Sequence, residues 1–149
     1  MLVAMNKVTV IAILLAVLCA AGEKKVKMQD LPPAVQKAVT EQSQGATLVG
    51  LARETEDGKT FYEAELKING RTRDISFDPT GKVVIVEDET PIENIPAPAR
   101  EAIQKAAGKK KILLVETVTE DGKTFYEAHI RALIRTTEVK VDSAGKPVK

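Results

Sequence analysis

The sequence predicts an α+β fold: two tandem units, each a helix followed by a four-stranded antiparallel meander, joined in one continuous sheet with both helices on one face. Three observations predict it. The ten residues Thr55 to Ala64 recur unchanged as Thr119 to Ala128. Within each copy the apolar spacing changes once, from intervals of three and four to intervals of two. Turn dipeptides, Asp57-Gly58, Asn69-Gly70 and Asp121-Gly122, stand beside the period-two segments.

The echo extends beyond the ten residues. At a constant offset of 64, positions 31 to 85 match positions 95 to 149 without a gap, with 18 identities in 55. Chance would give about three, so the chain is a duplication. The repeats run over 31–88 and 95–149. A single copy of this size buries too little surface to be more than marginal, so the two should share one core or one sheet.

Before the repeats, residues 1–21 read as a secretory signal and 22–30 as a linker. Lys7 gives a weakly positive start, and Val8 to Leu18 form an apolar run of eleven residues. That is short of the roughly 20 a helix needs to span a bilayer. Cys19, Ala20 and Ala21 supply small residues for cleavage after Ala21, which leaves a chain without cysteine. Cys19 as a lipidated N-terminus is the rival reading; it would have Leu18, a large residue, before it. The expected location is periplasmic or secreted, with no membrane span after processing.

In the first copy Leu31, Val35, Ala38, Val39 and Gln42 form one stripe, with Pro32 and Pro33 ahead of it and Gly45 behind, so a helix of 11 to 13 residues is predicted. The second helix carries Ile95, Ala99, Ala102, Ile103 and Ala106, led by Pro96 and Pro98 and ended by Gly108. Both are short and rich in small side chains, so packing must hold them. Strands follow at Leu48 to Arg53, Thr60 to Ile68, Arg71 to Phe77 and Val83 to Val86. In the longest, Tyr62, Ala64, Leu66 and Ile68 point to the core, as do Tyr126, Ala128, Ile130 and Ala132 in its counterpart. The second copy departs in three places. Leu133-Ile134 replaces Asn69-Gly70, so that hairpin must be rebuilt or lengthened. The continuous run Ile112 to Val115, behind Lys109, Lys110 and Lys111, suggests a strand covered on both sides or lying at the joint. Pro147 should leave the last strand frayed or at an edge.

Composition narrows the function classes. The 22 basic and 21 acidic side chains become equal in number once Lys7 is removed with the signal, so binding of nucleic acid by bulk charge is not expected. One Cys and one His exclude the commonest zinc and cysteine-nucleophile designs. No catalytic residue, no metal site and no cofactor is expected. Function is placed on the sheet face away from the helices, where Phe61, Glu63, Glu65 and Lys67 alternate with Phe125, Glu127, His129 and Arg131. These eight are the candidate protein-binding face. Each Phe could equally pack on the base of its own hairpin. Glu63 and Glu65 share a face but lack a nucleophile or an anion loop beside them. His129 could ligate a metal weakly with Glu127, and is expected instead to be solvated. Asp57-Gly58-Lys59 and its repeat lack the further oxygens of a calcium loop, and turn formation accounts for them.

The order of a Pro-led helix, a strand, the D-G-K-T-F-Y-E-A hairpin and a strand ending in Asp78 and Gly81 resembles the PepSY-like family of small secreted bacterial domains. The likeness covers 31–86 and 95–149. Doubled members resemble beta-lactamase inhibitor proteins in fold. The resemblance implies a non-enzymatic role in the periplasm or at the cell surface, holding or inhibiting a peptidase or another envelope protein or peptide. Those inhibitors carry disulfides and more aromatic residues than Phe61, Phe77, Phe125 and two Tyr, so no inhibitory residue is carried over. A small-ligand or cation sensor and a structural periplasmic protein are the competing functions, and the oligomeric state is left open.

Overall fold

The structure, a computed structural model, describes residues 23–56 and 58–148. The predicted signal, Asp57 of the first hairpin turn and Lys149 lie outside the described residues. Eight strands form one sheet in which every neighbour in space is the neighbour in sequence and every pair is antiparallel. They are β1 (Lys24–Lys25), β2 (Thr47–Glu56), β3 (Lys59–Ile68), β4 (Arg71–Phe77), β5 (Val83–Glu89), β6 (Ile112–Glu120), β7 (Lys123–Arg131) and β8 (Thr136–Val141). Helix α1 (Pro33–Gln42) precedes the first meander and α2 (Ala97–Ala107) precedes the second. The predicted fold class is the observed one.

Local chemistry accounts for the boundaries. Pro32 and Pro96 sit at the helix N-caps with φ of −54° and −53°, followed by Pro33 and Pro98 in the first turns, where no donor is lost. Each helix is preceded by a short 3₁₀ turn, Met28–Asp30 and Ile92–Asn94, that lowers Leu31 and Ile95 into the core. The first strand of each meander is longer than the pattern suggested, and each carries a register shift at the same repeat position, Leu48/Gly50 and Ile112/Leu114. The skipped residues Val49 and Leu113 are exposed as a result.

The strand count differs from four plus four in an instructive way. Lys24–Lys25, within the predicted linker, pairs with Arg53 and Ala52 as β1. The second copy has three full strands, and its fourth is reduced to a bridge between Val141 and Pro147, with Val148 donating to the Lys140 carbonyl at 3.0 Å. Pro147 has no N–H to offer a ladder. β6 sits at the joint, paired with β5 on one side and β7 on the other, as its unbroken apolar run suggested.

Two apolar clusters hold the helices to the sheet. Leu31, Val35 and Val39 of the first unit pack with Ala64, Leu66, Ile75 and Phe77. Ile95, Ala99, Ile103 and Ala107 of the second pack with Val115, Ala128, Ile130 and Val141. Each fully buried large side chain contributes roughly 1.5–3 kcal/mol. Tyr62 and Tyr126 border these clusters, so the predicted parity of the long strands is the observed parity. A second repeated contact locks each helix down. Asp78 Oδ1 accepts from the Thr80 and Lys82 N–H groups, and Asp142 Oδ1 from those of Ala144 and Lys146. The turns so formed place Gly81 (φ 82°) and Gly145 (φ 76°) against the first turn of α1 and α2, where a Cβ would fall 2.6 Å from the Ala34 carbonyl oxygen and 2.5 Å from that of Pro98. Only glycine fits.

Candidate functional site: an acidic cleft on the helix-free face

Strand parity that sends Ala64 and Ala128 toward the helices sends Glu63 and Glu127 the other way. Register then stacks carboxylates from strand to strand. Glu65 lies directly opposite Asp74, Asp74 opposite Glu87, and Glu116 opposite Glu127. Like charges in directly opposed positions destabilise a sheet, so these pairs work against the fold when ionised.

The carboxylates border a cleft of about 590 Å³ on the helix-free face. Ten acidic residues line it: Glu23, Glu54, Glu63, Asp74, Glu87, Glu116, Glu120, Asp121, Glu127 and Glu138. Among the described residues lining it, Lys59 and His129 are the basic ones. Phe61, Leu114, Val84 and Ile85 supply apolar wall. Taking several carboxylates out of water beside one another favours their protonated forms. Burial, reinforced by Glu54, Asp74, Glu23 and Glu65, pushes Glu63 up to about 7. Burial, with Glu116 and Glu65, pushes Asp74 up to about 7. Burial, with Glu116, Glu127, Asp74 and Glu63, pushes Glu87 up to about 8. Glu127 is also raised, by burial first and Glu138 next.

At the second copy's end of the cleft, one imidazole is set among three carboxylates. His129 Nε2 lies 2.9 Å from Glu116 Oε2 and 3.7 Å from Glu127, and Nδ1 lies 3.5 Å from Glu138. Hydrogen bonding to Glu116 raises the His129 pKa above its ordinary value despite burial. Glu116, Glu127 and His129 can each point a ligand atom inward with all three atoms within 4.8 Å of one another. Such a donor set, an imidazole nitrogen with carboxylate oxygens, suits borderline divalent cations such as zinc.

The sequence-derived face divides into three. Phe61, Glu63, Glu127 and His129 line the cleft. Glu65 flanks it through its pairing with Asp74, and Phe125 is half-buried beneath the Lys140 ammonium, 5.0 Å from the ring centre. Lys67 and Arg131 are exposed near the far ends of their strands, where Lys67 donates to Thr72 Oγ1 at 2.6 Å. One expectation is corrected: His129 is not solvated. It is 8% exposed, because Glu116 and Glu138 on the flanking strands close over it. The residues missed, Asp74, Glu87, Glu116 and Glu138, come from four different strands. Their signal was present as acidic residues on the outward parity of each of these strands, legible only once the pairing partners are known.

No protein-family model matches this chain, and no curated protein matches it. Solved structures do. A protein of Bacteroides eggerthii, provisionally assigned to the periplasm, superposes with a TM-score of 0.64 at 16% identity, covering 80% of this chain and 86% of its own. A DUF2874 family protein of Bacteroides ovatus gives 0.61 at 17%, covering 80% and 85%. A BLIP-like protein of Bacteroides fragilis gives 0.57 at 17%, covering 80% and 84%. The fold of this chain, two helices on one side of a single antiparallel meander, is therefore the fold these DUF2874 and BLIP-like proteins share.

Proposed function

We propose that this chain is a non-enzymatic binding module of the bacterial envelope whose acidic cleft receives a cationic group of its partner. Opposed carboxylates on neighbouring strands carry this reading. They cost the sheet stability, which the Glu116 hydrogen bond to His129 offsets only at one end of the cleft, and a cation placed among them would remove both the repulsion and the desolvation penalty. The aromatic and aliphatic wall beside them suits the stem of a Lys or Arg side chain presented by a protein or peptide. A non-catalytic role is supported by His129, whose two nitrogens both face carboxylates rather than a hydroxyl or thiol. The periplasmic location is supported by the predicted leader and by the location assigned to the Bacteroides eggerthii protein of the same fold. PepSY-like ancestry, and the division into repeats 31–88 and 95–149, belong to the same proposal.

A cation sensor is the second reading, and the Glu116, Glu127 and His129 donor set favours it. One calorimetric series separates the two. At about pH 8 and low salt, where the cleft is more charged than at neutral pH, the protein is titrated with an Arg- and Lys-rich peptide, then with zinc and calcium salts. The first reading expects peptide binding that weakens with salt and is lost in Glu87→Gln/Glu127→Gln. The second expects metal binding lost in Glu116→Gln and His129→Gln. Absence of heat in every titration, with affinity capture from envelope extracts unchanged by these substitutions, would overturn both.

A further inference from the structure

We propose that the β7–β8 hairpin tip is a docking point for an anionic lipid surface. Leu133 and Ile134 form this tip and are 104% and 97% exposed, so no other part of the described chain covers them. The fold does not require them there. In the first copy the same position is Asn69-Gly70, both at positive φ, which closes a two-residue turn between Ile68 and Arg71. Leu133 and Ile134 do not adopt positive φ, and the last paired residues are Arg131 and Thr136, with Ala132 donating to the Arg135 carbonyl at 2.8 Å. Two aliphatic side chains thus stand in water at a site where better turn formers exist.

Their surroundings choose the partner. Arg131 and Arg135 flank the pair and are exposed. The Arg131 N–H donates to the Lys111 carbonyl at 2.9 Å, which brings the exposed Lys109, Lys110 and Lys111 to the base of the hairpin. Neither segment, 105–112 nor 130–137, contains a carboxylate. The first copy's tip differs here too, since Glu89 accepts from the Thr72 N–H and sits beside Lys67 and Arg71. A small apolar insertion within a cationic collar combines the two weak signals that together give peripheral membrane attachment. A protein pocket for two aliphatic residues would not need five cations around it.

The chain has no Trp, so Ile134→Trp makes the tip its own reporter. The exported form is mixed with vesicles containing about half phosphatidylglycerol, or with phosphatidylcholine alone. The expected result is a blue shift of emission, and quenching by brominated acyl chains, with the anionic vesicles only. Affinity should fall on the order of a hundredfold in Lys109→Gln/Lys110→Gln/Lys111→Gln, and should also fall on raising salt from about 0.05 to 0.3 M. Because the reporter is at the tip, an apolar leader elsewhere cannot produce the signal. Leu133→Asn/Ile134→Gly, which restores the first copy's turn, should keep the fold and abolish vesicle cosedimentation of the Trp-free chain. The proposal is overturned by unchanged emission with anionic vesicles, by an equal response to neutral ones, or by a shift that only delipidated envelope protein produces.

Discussion

The two halves of this molecule began as one unit, and their differences separate what the fold needs from what the surface does. Facing the helices, the exchanges are conservative: Leu66 corresponds to Ile130, Ile75 to Val139 and Phe77 to Val141, all on the buried or half-buried apolar side. On the helix-free face they are not. Ala52 corresponds to Glu116 and Glu65 to His129, so the Ala52–Glu63 pair of the first copy has become Glu116–Glu127, and Glu65–Asp74 has become His129–Glu138. At these positions the first copy carries carboxylates without an imidazole, whereas the second has added a carboxylate and set an imidazole among them. Packing constrains one side of the sheet, and on the other side charge was free to diverge.

The largest effect should come from the core. Phe77→Ala is expected to cost about 3–5 kcal/mol in urea denaturation, and Val141→Ala clearly less, because the second cluster is built from smaller side chains at that position. Both should move a single transition. Two separate transitions would break the comparison, since it treats the halves as one cooperative sheet.

Next come the glycines that touch the helices. Gly81→Ala and Gly145→Ala should each destabilise by roughly 2–3 kcal/mol and by similar amounts, since both combine positive φ with a carbonyl oxygen where the methyl would go. A large loss at one and none at the other would show that the repeated turns do not carry equal roles.

The cleft predicts a pH dependence of opposite sign to that of an ordinary carboxylate surface. Glu63, Asp74 and Glu87 have folded pKa values of about 7, 7 and 8, above those of the unfolded chain, so between about pH 4.5 and 8 the folded state holds more protons. Stability is therefore full below the unfolded carboxylate values and declines as pH rises through the folded ones. His129, raised as well, adds in the same direction, because its stabilising contribution fades as pH climbs past its folded pKa. The melting temperature should be higher at pH 5.5 than at pH 8, by roughly 5 °C, and Glu87→Gln should flatten the profile. A melting temperature that rises with pH would contradict the burial of these carboxylates.

The smallest effect concerns the tips. Leu133→Asn/Ile134→Gly should stabilise the second half by about 0.5–1 kcal/mol, by supplying residues that tolerate the left-handed conformation of a two-residue turn. The reverse change at Asn69 and Gly70 should destabilise by a similar amount. Equal stability in all three chains would mean the second hairpin has already found an equivalent closure.

The offset of 64 and the switch from helical to strand periodicity determined the duplication, the order of elements and the parity of each long strand. Parity is a local property: successive side chains on an extended backbone must alternate, and the tight turns set where the count begins. The reduction of the last strand was legible as well, in Pro147. The sequence alone did not determine that Lys24–Lys25 would add an edge strand, since two charged residues carry no pattern of their own. It did not reveal the cleft, because Asp74, Glu87, Glu116 and Glu138 each read as an ordinary surface acid until strand pairing set them beside one another. His129 shows the difference most plainly. A lone histidine between charged residues reads as solvated, and only Glu116 and Glu138, arriving from strands 13 residues before and nine after it in the chain, exclude water and hold it. Alternation is written into consecutive residues, whereas burial on an open sheet face is imposed by neighbours distant in sequence.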